Sequence, residues 1–184
     1  CVAATNSGDL TIREDVASDA GVAAVYAFAN VNFENGTNTA AQLRSTTTAS
    51  VVAQNGAIND NRTTVGANEA DVQAADVILR AGTSIGAAAN PLEINATNLA
   101  ARANNGLANI DDIGGGVTVT SLSTLACGDF PVTRIDGVTA TGDVCVAATN
   151  SGDLTIREDV ASDAGVTAVY AFNDINLENG TNTQ

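Results

Sequence analysis

The chain writes its first forty residues twice. Residues 1–40 read CVAATNSGDLTIREDVASDAGVAAVYAFANVNFENGTNTA. Residues 145–184 repeat them with six changes: Ala23/Thr167, Ala29/Asn173, Asn30/Asp174, Val31/Ile175, Phe33/Leu177 and Ala40/Gln184. Two of these changes, Val31 to Ile175 and Phe33 to Leu177, keep apolar side chains at alternate positions. A long tandem repeat constrains a chain more than any local motif, because a repeated unit packs against its neighbours and not around a private core. Residues 1–144 therefore read as one full unit and residues 145–184 as the start of the next copy.

Inside the unit, Gly8, Gly36, Gly56, Gly82, Gly106, Gly128 and Gly152 recur at intervals of 20 to 28 residues. Short apolar runs flank most of them, as in VVAQNGAI (51–58), VILRAGTSI (77–85) and LAARANNGL (99–107). Alternating apolar residues predict strands, and Asn-Gly or Ser-Gly at the breaks supplies the backbone freedom a sharp corner needs. The spacing predicts an all-β solenoid with about six coils per 144 residues. At one strand spacing per coil a unit would rise by about 29 Å. Composition agrees: the chain is 45% hydrophobic but only 3% aromatic, so a narrow stack of Val, Ile, Leu and Ala suits it better than a globular core. Residues 14–21 read as a polar connection, and residues 57–70 as a loop standing off the coil.

The net charge of −14 comes from 21 acidic residues against seven arginines, with no lysine. Such a surface repels nucleic acid phosphates and anionic membranes, so neither is an expected partner. No apolar run approaches the roughly 20 residues of a membrane-spanning helix. The chain opens at Cys1 inside a repeat and reads as a segment of a longer polypeptide, in which copies of the unit adjoin or stack end to end.

Little catalytic chemistry is legible. The chain has no His, no Cys-x-x-Cys, no phosphate loop and no dinucleotide fingerprint, so no enzyme activity is expected. The acidic groups Asp111-Asp112, Asp71 with Asp76, and Arg13-Glu14-Asp15 read more simply as solvated edges than as a hydrolase pair. Calcium is the one candidate cofactor. Asn59, Asp60 and Asn61, the pair Asp111 and Asp112, and Glu14-Asp15 with Asp19 offer loop oxygens, without EF-hand spacing. Asn35, Asn61, Asn95 and Asn179 each open an Asn-x-Thr triplet, a glycan acceptor where the machinery exists. Of three cysteines, Cys127 and Cys145 lie 18 residues apart, a little under one coil. That spacing would place them on neighbouring coils, close enough for a disulfide, with two separate buried thiols as the alternative. A disulfide in each unit implies an oxidising compartment.

The stretch AGTSIGAAANPLEINATNLAARANNG (81–106), followed by GGGVTVTSL, resembles the repeats of filamentous-haemagglutinin-like and autotransporter-like bacterial surface proteins. In those families a phrase of the type Ala-Gly-x-x-Ile-Gly, then Pro-Leu, then a small-residue strand recurs coil after coil. The resemblance implies a right-handed parallel β-helix, export to the cell surface or beyond, and a structural role in fibres, matrix or adhesion. The alternative within that setting is a module that binds glycans or surfaces through protruding loops such as 57–70.

Overall fold

A computed structural model describes residues 1–35, 41–62, 69–127 and 130–180. Among them are twenty strands and no helix, and fifteen of the strands join in one large sheet built almost wholly from parallel pairs. Two of the corner glycines, Gly36 and Gly128, and the middle of the 57–70 loop lie outside the described residues.

The parallel pairing forms three ladders that the chain visits in turn. The first runs through Val2, Val25, Val51, Leu79, Ala101, Val138 and Val160. The second runs through Leu10, Val31, Ile58, Ile85, Ala108, Val144 and Thr167. The third runs through Val22, Thr48, Asp76, Asn98, Thr118, Thr155 and Asn176, flanked in the early returns by Val16, Leu43, Val72 and Ile94. One apolar core lies between them. Val25, Val51, Leu79 and Val138 reach it from the first ladder, Val31, Ile58, Ile85 and Ile110 from the second, and Leu43, Val77, Leu99 and Val119 from the third side. Parallel strands suit this sequence because β-branched and small apolar side chains fill a narrow interior with few polar atoms.

The corner after the first ladder explains why glycine recurs. A Cβ on Gly56 would lie 2.6 Å from the carbonyl oxygen of Ala29, and one on Gly82 would lie 2.5 Å from the Cα of Asn55. Each corner thus rests directly on the backbone of the corner before it. Gly8 and Gly106 occupy the same corner, joined there by Gly142. Gly152 does not: it packs against Gly115 at a different corner.

That difference corrects the expected six coils per unit. Val2–Ala4 lies on the first ladder, whereas its repeat at 146–148 lies on the second. Leu10–Ile12 moves from the second ladder to the third as residues 154–156, and Val31–Phe33 does the same as Ile175–Leu177. Five returns to the first ladder separate Val2 from Val138, so 144 residues make five returns plus one ladder. Local pairing is nevertheless preserved. Val2 pairs with Val25 as Val146 pairs with Val169, and Leu10 pairs with Val31 as Leu154 pairs with Ile175. The exposed ion pair Arg13–Glu34 likewise recurs as Arg157–Glu178.

The missing return is a strap. From Ala101 to Val138 the chain takes 37 residues, where its other returns to this ladder take 22 to 28. Ser121–Ser123 and Arg134–Asp136 pair antiparallel, and the hairpin lies across the outer face of the sheet. Leu122 and Ile135 cover Ile78 and Ala100; further along, Leu125, Cys127 and Phe130 cover Ala24, Tyr26 and Val52. The Tyr26 hydroxyl donates to the Leu125 carbonyl, and the Phe130 ring sits 4.8 Å from the Tyr26 ring. The strap therefore runs back over earlier returns until Cys127 reaches Cys1, with which it forms a disulfide across a Cα separation of 5.9 Å. The expected Cys127–Cys145 bond is corrected accordingly, and Cys145 is free. The expectation failed because it kept residues 121–136 on their own coil.

One smaller difference lies away from the strap. Val16–Ser18, inside the expected polar connection, is a strand paired with Leu43–Ser45. Pro91 stands directly before the long strand Leu92–Ala103, where its missing amide hydrogen breaks no ladder.

Candidate functional site

The expected loop at 57–70 does not simply stand off the sheet. Its first part is the strand Ile58–Asp60, and Arg62 then turns inward beneath it. The Arg62 side chain is 1% exposed. Its Nε donates to Asp60 Oδ1 (2.9 Å), one terminal nitrogen donates to the Glu69 carbonyl (3.0 Å), and the other donates to Glu93 Oε2 (3.0 Å). That last nitrogen also lies 3.0 Å from Asp71 Oδ1. The contact is one of charge without hydrogen-bond alignment, which leaves Asp71 Oδ1 buried and without a hydrogen bond. Asp71 Oδ2 accepts from the Glu93 amide (3.0 Å). One arginine thus ties both ends of the loop, at Asp60 and Glu69, to the strands that carry Asp71 and Glu93.

Asp60, Asp71 and Glu93 are the one group of three acidic or metal-ligating side chains found within 4.8 Å of one another among the described residues. Three carboxylates face one guanidinium away from water. Burial alone would lower the Arg62 pKa, but Asp71, Asp60 and Glu93 outweigh it and raise the value. Burial pushes Asp71 well above the usual carboxylate range despite Arg62, with Asp60 and Glu93 adding to the push. Glu93 is raised as well, first by burial and then by Asp60. A proton on Asp71 removes one of the crowded charges and gives its orphaned oxygen something to donate. The cluster is built to hold a cation, and its own arginine is that cation.

The residues expected to hold calcium are placed apart. Asp60 belongs to the cluster, but its carboxylate is engaged by Arg62 and by the Asn90 amide. Asn59 and Asn61 donate to Asn32 Oδ1 on the preceding return, at 2.9 and 3.4 Å. Asp111 accepts from the Thr149 hydroxyl, and fully buried Asp112 accepts from the Ala96 and Gly116 amides. Burial raises Asp112 against those backbone bonds. Asp71 and Asp76 do not act together, since Asp76 accepts from Asn98. Arg13 pairs with Glu34, and Asp15 with Arg44. Among the Asn-x-Thr triplets, only 95–97 is wholly described, with Asn95 exposed; Asn61 and Asn179 are exposed, and Asn35 is half-buried. Arg62 and Glu93 carried no recognisable motif. A trace of the cluster was present, because Asp71 and Glu93 are 22 residues apart, one return, and each sits between two apolar residues.

The cluster makes stability depend on pH. Asp71, Glu93 and Asp112 all titrate higher in the folded chain than in the unfolded one. Above the ordinary carboxylate range the folded state therefore holds more protons, so stability falls as pH rises through that window. The melting temperature should be higher at about pH 5 than at about pH 8. Asp71→Asn should flatten that profile, which separates the cluster from the general repulsion of a chain with net charge −14. A melting temperature that climbs from acid to alkaline pH contradicts this account.

No protein family, curated protein or solved structure matches the chain.

Proposed function

We propose that the chain is a segment of a right-handed parallel β-helix that serves as a non-catalytic structural element of an extracellular bacterial fibre or surface array. What carries the reading is the placement of the two copies. They keep the same strand pairing but start one ladder apart, so a further unit can be added without breaking any ladder. Each addition advances the next by a third of a turn. Two observations agree with it. The buried carboxylates Asp60 and Asp112 are engaged in holding the chain together, and the Cys1–Cys127 bond suits an oxidising compartment outside the cell. The partners in this reading are other copies of the unit, adjoining or end to end.

The test is a series of tandem arrays of the 144-residue unit imaged by electron microscopy. With five and a third returns per unit, each added unit should lengthen the particle by about 26 Å. An axial spacing of about 4.8 Å should be present throughout. Particles that grow in all directions as units are added would remove the reading.

A further inference from the structure

Beyond the one-ladder offset and the opening of Ile175 and Leu177 where Val31 and Phe33 are buried, the two copies differ in how their outer faces are covered. Cys1, Ala3, Ala24 and Tyr26 recur unchanged as Cys145, Ala147, Ala168 and Tyr170. The pairing places both sets alike: Ala3 beside Tyr26 as Ala147 beside Tyr170, and Cys145 beside Ala168. Val144 and Val146 join the core, so the alternate positions, half-buried Cys145 and buried Ala147, face outward from the ladder. In the first copy this outer face is covered by the strap, and Tyr26 is 1% exposed. In the second copy Tyr170 is 55% exposed and Cys145 carries a free thiol.

We propose that the outer face formed by Cys145, Ala147, Ala168 and Tyr170 is the docking site for a second strap, a segment of the type 121–136 supplied by a further copy of the 144-residue unit, with Cys145 as its disulfide anchor. The first copy supplies the template for each contact. A leucine carbonyl accepts from the tyrosine hydroxyl, a phenylalanine ring lies on the tyrosine ring, and a cysteine bonds to the thiol. The one-ladder advance between copies adds a consequence: successive straps lie on successive faces, so three units cover all three sides. The inference rests on the repeat itself, and it stands or falls separately from the extracellular fibre role.

The test uses the 184-residue chain with its Cys1–Cys127 bond intact and a synthetic peptide, SLSTLACGDFPVTRID, whose cysteine is held as a mixed disulfide with 2-mercaptoethanol. The Cys145 thiolate attacks the peptide sulfur, the new disulfide forms, and 2-mercaptoethanol leaves with the electron pair and takes up a proton. Burial and the neighbouring Asp111 push the Cys145 thiol up, so the reaction is run at mildly alkaline pH. Intact mass follows the adduct. The native peptide should react at least about tenfold faster than one with alanine at the leucine next to Ala-Cys and at the phenylalanine, a difference of about 1.4 kcal/mol in contact energy. Tyr170→Ala, a change at an exposed side chain, should abolish that advantage. Equal rates for the two peptides, an advantage that survives Tyr170→Ala, or no adduct at all would each overturn the proposal. An adduct formed with the predicted selectivity, in tandem units that do not lengthen along one axis, would uphold the strap site and reject the fibre.

Discussion

Replacing Arg62 with Met should cost about 3 to 5 kcal/mol of stability near pH 8, the penalty for leaving buried carboxylates without their cation. The change removes the one positive charge facing Asp60, Asp71 and Glu93, and it frees the Glu69 end of the loop. The loss should shrink at about pH 5, because Asp71 and Glu93, both raised by burial, can then take up protons and cease to repel. Urea unfolding at the two pH values measures both effects. A loss under about 1 kcal/mol, typical of an exposed ion pair, would mean the cluster is open to water. An equal loss at both pH values would mean that charge is not its cause. The exposed pairs Arg13–Glu34 and Arg157–Glu178 make the internal control, since breaking either should change stability little.

Cys127→Ser should have an effect of similar size through a different route. The bond joins residues 126 apart, and by chain entropy a loop of that length is worth up to about 5 kcal/mol, less whatever the unfolded chain retains. The loss should be local as well as global. Without its anchor the far end of the strap loosens, uncovering Tyr26, Ala24 and Val52, while Leu122 and Ile135 still hold the near end on Ile78 and Ala100. Hydrogen exchange should accelerate first in Val22–Ala27 and Thr48–Ala53, ahead of the long strand Leu92–Ala103. Uniform acceleration across all three strands would show that the strap does not cover particular returns.

The parallel returns were legible because their causes are local. Alternating Val, Ile and Leu mark inward faces, and Gly56, Gly82 and Gly106 mark a corner where one backbone rests on another. The strap was less legible, yet a sign of it stood in the same strands. The runs AAVYA (23–27), SVVA (50–53) and VILRA (77–81) are apolar almost without alternation, as expected of strands buried on both faces. The glycine spacing conceals it, because an even spacing makes residues 121–136 one more coil. The miscount then misplaced the disulfide, as Cys127 was kept beside Cys145 instead of being carried back to Cys1. Val16–Ser18 was missed because three residues hardly register as a pattern, and their pairing with Leu43–Ser45 decides the outcome. The Arg62 cluster draws on residues 60, 62, 71 and 93, joined only once the chain has completed a return. Asp60 is legible locally as an oxygen ligand, but the arginine that fills its site is not.

A tryptic map of the unreduced protein, alkylated at acid pH to trap free thiols, tests the central claim that a strap runs back across the parallel returns. Cleavage after the arginines separates the three cysteines into residues 1–13, 103–134 and 135–157. The strap requires 1–13 to be linked to 103–134, with 135–157 recovered singly and alkylated at Cys145. A linked pair of 103–134 with 135–157 would place Cys127 beside Cys145, keep residues 121–136 on their own coil, and contradict the account.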